Sequence, residues 1–106
     1  MQRGLMSEER PGTELLSGWQ VIVSAGVSIP LLAVGVAPIG CREVIVQAFP
    51  GNQADIAVGD AMVTVTPPRG TILDARESVV ISIDQVNKVW INGPTPGEGV
   101  CWLAVR

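Results

Sequence analysis

The sequence predicts a single all-β domain: a β-sandwich or jelly-roll-like fold of seven to nine short strands behind an extended N-terminal arm. Three observations predict it. From Trp19 onward, short runs rich in Val, Ile and Thr alternate with clusters of Gly, Pro, Asn and Asp. No stretch sustains the apolar spacing of an amphipathic helix. Finally, 106 residues, 47% of them hydrophobic, suffice for one core and not for two. A chain of this size buries roughly 65% of the surface its unfolded form exposes.

Met1 to Gly18 differ from the rest. They carry Arg3, Glu8, Glu9, Arg10, Pro11, Gly12 and Glu14 with no periodicity. The segment reads as an extended arm, residues 1–18, with a short turn at Thr13 to Leu16. Two readings stay open: a frayed terminus, or an arm that orders on a neighbouring subunit. The sandwich then occupies residues 19–106. Its expected strands are Trp19–Ala25, Val27–Val34, Arg42–Ala48, Asp55–Val58, Met62–Thr66, Thr71–Leu73, Ser78–Ile83, Lys88–Asn92 and Val100–Val105.

The turns between them have physical causes. Pro50-Gly51 suits a type II turn, with Pro presetting φ and Gly accepting positive φ. Gly59-Asp60 is a tight turn. Pro67 and Pro68 end the preceding strand, because Pro cannot donate to a ladder. Asn92-Gly93 opens a loop through Pro94, Pro96, Gly97 and Gly99.

Alternation assigns the faces. Val79, Ile81 and Ile83 point one way; Ser78, Val80, Ser82 and Asp84 point the other. Val89 and Ile91 oppose Trp90. In the last strand Val100, Trp102 and Ala104 oppose Cys101, Leu103 and Val105, so both faces are apolar. That strand is central in a sheet, or one of its faces meets another subunit.

Composition excludes more functions than it selects. There is no His, which removes the commonest general base and transition-metal ligand. The net charge of −3, with six Arg and one Lys, argues against nucleic-acid binding. The ten carboxylates form no recognisable motif and read as solvated turn residues. Phosphate-binding glycine loops are absent. No enzyme activity, metal or cofactor is expected.

Cys41 and Cys101 cannot complete a four-ligand zinc site. They read as small buried hydrophobes, with a disulfide as the other reading. The uncharged run from Leu15 to Ile39 is long enough to span a bilayer. Pro30, Pro38 and four glycines by Gly40 favour two short buried strands instead. Nothing near Met1 reads as a secretory signal, since Glu8 and Glu9 follow.

Each of Trp19, Trp90 and Trp102 has three readings: core packing, a subunit contact, or a platform for stacking a sugar. The interface candidates are Leu5, Met6, Leu15 and Leu16 of the arm, the three tryptophans, and Arg76.

One stretch carries a family resemblance. Cys41-Arg42-Glu43-Val44-Ile45-Val46-Gln47-Ala48 runs into Pro50-Gly51-Asn52 and Ile56-Ala57-Val58-Gly59-Asp60. Leu73-Asp74-Ala75-Arg76-Glu77-Ser78-Val79 follows, then Ile83 to Gly93, and finally Gly97-Glu98-Gly99-Val100 before Trp102. From Ile39 to Val105 this resembles the small β-sandwich structural proteins of tailed-bacteriophage virions, often head decoration (cement) proteins, sometimes tail or fibre components. Its elements are turn-and-strand signatures, more specific for fold than for role. Where the family pattern has Pro-Gly, this chain has Ala75-Arg76, so that loop is shaped differently or Arg76 makes a contact. The arm has no counterpart in the pattern.

The resemblance implies a non-enzymatic protein on the capsid surface, made in the host cytoplasm. It would clamp neighbouring capsomers by binding the major capsid protein. It would also self-associate as a homo-oligomer, with a trimer favoured. No nucleic-acid or membrane partner is expected. The other reading is a tail or fibre module that recognises a host receptor or glycan.

Overall fold

The computed structural model describes residues 14–32 and 35–106. Among these residues eight strands run in chain order: β1 (Leu15–Val21), β2 (Ile29–Pro30), β3 (Glu43–Ala48), β4 (Ile56–Gly59), β5 (Thr71–Leu73), β6 (Ser78–Ser82), β7 (Trp90–Asn92) and β8 (Gly99–Val105). A 3-10 turn, Val86–Lys88, precedes β7. The strands form two antiparallel four-stranded sheets, ordered β1-β8-β3-β6 and β2-β7-β4-β5.

The pairing is nested. The first strand pairs with the eighth, the second with the seventh, the third with the sixth and the fourth with the fifth. Bridging pairs β3·β8 and β4·β7 complete the sheets. This is the connectivity of a jelly roll, one of the two expected architectures.

Alternation builds the core. Val44, Val46 and Ala48 of β3 and Val100, Trp102 and Ala104 of β8 face inward from one sheet. They meet Ile56 and Val58 of β4, Leu73 of β5 and Ile91 of β7 from the other, in a single cluster. Full burial of each large aliphatic side chain contributes roughly 1.5–3 kcal/mol. The expected inward set Val79, Ile81 and Ile83 packs against this core, and so do Val89 and Ile91.

β1 crosses over Trp102 at Gly18. A Cβ there would lie 2.6 Å from the Trp102 ring, so a residue without a side chain leaves room for the indole. At the other end of the domain the Asn52 side chain is buried. Its Nδ2 donates to the Gly99 carbonyl at 2.9 Å and its Oδ1 accepts from the Gly99 N–H at 3.2 Å. Next to it the Glu98 carboxylate accepts the N–H groups of Gln53 and Ala54. These bonds tie the β3–β4 loop to the start of β8.

Several boundaries differ from expectation. Leu15 to Gly18 belong to β1 and not to the arm, because Leu15 and Leu16 pair with Val105 and Ala104 of the long strand β8. Ile22 to Ala25 lie beyond the strand. The arm's remaining residues, Met1 to Thr13, lie outside the described residues. The strand expected at Val27–Val34 shortens to β2, with Ala33 and Val34 also outside them.

Met62–Thr66 is a folded loop and not a strand. The Asp60 carbonyl and carboxylate accept the N–H groups of Val63 and Met62, and the Thr64 hydroxyl donates to the Pro67 carbonyl. Polar groups beside Pro67 give this backbone local partners that compete with a ladder. The Pro50-Gly51 turn closes with Asn52 N–H donating to the Phe49 carbonyl. Gly51 is absent from the positive-φ glycines, so the turn is not the expected type II. Cys41 and Cys101 are free and half-exposed, neither fully buried nor paired.

Candidate interaction face

The two sheets treat their outer faces differently. On the sheet β2-β7-β4-β5, Ala57 and Asn92 point away from the core yet are buried. The chain's own loops cover them. Asn92 Nδ2 donates to the carbonyls of Val63 (2.9 Å) and Gly26 (3.2 Å), and Ser28 Oγ donates to the Ala61 carbonyl. Val63 packs down to 1% exposure.

The outer face of β1-β8-β3-β6 has no such cover among the described residues. The register lays it out in rows across the four strands. One row holds Leu15, Val105, Glu43 and Ser82; the next Ser17, Leu103, Ile45 and Val80; the third Trp19, Cys101, Gln47 and Ser78. Trp19 is 71% exposed, Leu15 64% and Val80 58%. Ile45, Leu103 and Val105 are half-buried by their neighbours alone. Glu43 is the single charge among these positions. A shallow groove runs along the face between Trp19, Ser17, Leu103, Cys101, Ile45 and Gln47.

The asymmetry has a cost and a use. Apolar area left in water forgoes the burial free energy that the other sheet recovers with its own loops. Contiguous exposed apolar patches on small proteins mark interaction sites. Depletion of charge with an aromatic present is the composition of an interface centre.

The candidate residues divide. Leu15 and Trp19 lie on this face. Leu16 lies on the inner side of β1 against the core, and Trp102 is a core residue at 6% exposure. Trp90 is half-buried on the other sheet, opposite Pro30 and Gly59. Arg76 is exposed in the β5–β6 turn, with a φ of 70°. Its N–H donates to the Ala48 carbonyl and its carbonyl accepts from Gln47 Nε2. Leu5 and Met6 lie outside the described residues. Leu103, Ile45 and Val80 were missing from the candidates. Their signal was the two apolar faces of β8, but only the register shows which residues lie beside them.

The titratable groups are scattered. No three of His, Cys, Asp or Glu converge among the described residues. Burial and the nearby Asp84 charge push the Cys41 thiol up. Lys88, 2.9 Å away, holds the Asp84 carboxyl below the usual carboxylate range. The register Ile56↔Leu73 brings Asp55 and Asp74 together at the strand ends, two carboxylates that spacing did not pair. A hydrogen bond from one to the other, and their mutual repulsion, raise Asp74.

The signs differ. A raised folded pKa means the Asp74 carboxylate, beside Asp55, destabilises the protein at neutral pH, and the penalty is relieved as pH falls through the raised value. Asp84 does the reverse: its contribution is present above the ordinary carboxylate pKa and is lost as pH falls through its lowered one. Asp74→Asn is therefore expected to raise the urea midpoint at pH 7 and to abolish the pair's gain at mildly acid pH. Equal midpoints for variant and wild type at pH 7 would contradict this.

Among the described residues, no helix is long and apolar enough to cross a membrane; the uncharged run from Leu15 contains β1 and β2. Searches of protein-family models, of curated proteins and of solved structures found no match to this chain.

Proposed function

We propose that this chain is a virion structural protein that decorates a bacteriophage capsid and binds the shell through the open face of β1-β8-β3-β6. The observation that carries the proposal is the contrast between the two outer faces among the described residues: one is partly covered by the chain's own loops, the other is apolar and open. A rigid jelly roll supplies a flat platform, and the architecture is used for capsid domains. Trp19 and the row Leu103, Ile45, Val80 would meet a capsomer surface. Each copy would clamp its neighbours by buried area and not by charge, as the −3 net charge and single face carboxylate suit.

One observation favours a second reading. Trp19 stands exposed beside Ser17 and Gln47, an aromatic with polar neighbours that fits a stacked sugar. Lectin domains also use jelly rolls. A tail or fibre module would use the groove in that way.

Particles of the phage that carries the gene separate these readings. Purified virions would be examined by electron microscopy with labelled protein, and copies per particle counted by quantitative mass spectrometry. Many copies spread over the shell support decoration. A few copies confined to the tail support the receptor-binding reading, and absence from the particle overturns both.

A further inference from the structure

Among the described residues the two sheets have four edges, and they are not alike. In β2-β7-β4-β5 both edge strands are blunt. β2 is two residues long and ends in Pro30, while β5 has three residues. Short strands and prolines are the usual protection of an edge against pairing. In the other sheet, β1 follows residues outside the described set. β6 remains: five residues, Ser78-Val79-Val80-Ile81-Ser82, with no charge and no proline.

Among the described residues the backbone of β6 is half used. Ala48 N–H donates to the Glu77 carbonyl and Ile83 N–H to the Arg42 carbonyl, so the odd-numbered residues bond to β3. By the antiparallel alternation, Ser78, Val80 and Ser82 turn their N–H and C=O groups to the open edge. Their side chains stand on the exposed face. Val79 and Ile81 are half-buried at the margin of the core.

We infer that two copies of this chain pair through β6, antiparallel, about a two-fold axis at Val80. The strand is self-complementary in that register. Ser78 falls opposite Ser82 of the second copy, Val79 opposite Ile81, and Val80 opposite itself. Isologous contacts need this reciprocity. The outward backbone groups of Ser78, Val80 and Ser82 then find their partners. Val79 and Ile81 gain apolar neighbours at the core margin.

Charge complementarity also points to a second copy. Two residues beyond each strand end, the same pairing brings the β5–β6 turn with Arg76 towards Asp84 of the second copy, a carboxylate that Lys88 of its own chain also contacts at 2.9 Å. Arg76 is a non-glycine residue at φ 70°, a conformation L residues occupy at a cost. The result is one continuous eight-stranded sheet with a doubled apolar face. The pairing concerns the edge and is measured on free protein, so its failure leaves shell binding through the open face untouched.

The test uses the full chain. Sedimentation equilibrium across a range of concentrations is expected to show a monomer–dimer equilibrium. Val80→Lys sets like charges across the axis and is expected to weaken association about 5-fold. Arg76→Asp and Asp84→Arg should each weaken it, and the double variant should restore it. In hydrogen exchange the amides of Ser78, Val80 and Ser82 are expected to gain protection with concentration. Those of Val79 and Ile81, bonded to β3 in either state, are the internal control. A monomer at every concentration would overturn the pairing. So would a three-fold mass, a dimer in which these three amides exchange freely, or a double variant no better than the singles.

Discussion

Gly99→Ala is expected to destabilise the protein by about 3 kcal/mol or more, a large part of the ~5–15 kcal/mol that holds a small domain. Gly99 opens β8 where β1 passes closest. A Cβ at this position would lie 2.1 Å from the Gln20 carbonyl oxygen and 2.7 Å from Val21 Cα. Both are backbone atoms, so no side-chain rotation gives relief. β1 must move away, and Gly99 must lose its place against Asn52 as well. Gly51→Ala is the control: no atom lies within 4 Å of its added methyl group, and its effect should be within about 0.5 kcal/mol. Urea unfolding followed by far-UV circular dichroism measures both. A Gly99→Ala midpoint equal to that of wild type would show that β1 and β8 do not approach as described.

Leu103→Lys is expected to leave folding intact and to weaken shell binding on the order of 100-fold. Leu103 sits in the middle of the open face, between Ser17 and Ile45 in the register. It points away from the core and is only half-buried, so the unfolding free energy should fall by about 1 kcal/mol or less. At the centre of an interface the same change buries an unpaired ammonium. Central residues of this kind account for 2 kcal/mol or more, about 30-fold, and an unpaired charge adds to the loss. Co-sedimentation of the variant with purified particles reads the effect. Undiminished binding by a folded variant would exclude this face as the contact.

Much of this fold is legible in the sequence where alternation is strict. β3 reads Glu-Val-Ile-Val-Gln-Ala with every second residue buried, and β5 begins and ends where expected. The faces of β6 and β8 follow from the same rule. Legibility fails where a distant partner decides. Leu15 and Leu16 look like arm because Glu14 and the charges before it dominate the local composition; Val105 and Ala104 make them strand. Val63 looks like a strand residue because it is β-branched, but its N–H bonds the Asp60 carbonyl and its carbonyl accepts from Asn92, which sets it on the outer face of β2-β7-β4-β5.

The site was half legible. The apolar outer face of β8 announced itself, whereas its neighbours Ile45 and Val80 needed the register. The signatures behind the family resemblance have a structural explanation. Pro50-Gly51-Asn52 and Gly97-Glu98-Gly99 touch each other, through the Asn52 amide on Gly99 and the Glu98 carboxylate on the next turn of chain. Ala75-Arg76 stands where the pattern has Pro-Gly, and Arg76 takes the positive φ that a glycine adopts freely. These residues hold loops together. They speak to architecture and carry no chemistry of their own.

The nested pairing also sets the order in which the molecule forms. β4 and β5 are joined by the loop 60–70, and each pair outside them encloses a longer span, up to β1 with β8, where Leu15 meets Val105. Closing a longer loop costs more chain entropy, and folds dominated by distant contacts form slowly, in milliseconds to seconds. On the ribosome, β1 must wait for the last strand, holding Trp19 in water until Cys101 and Leu103 emerge. The open face is therefore the last surface to be made, so under the proposed function a shell binding it would select chains that have finished folding.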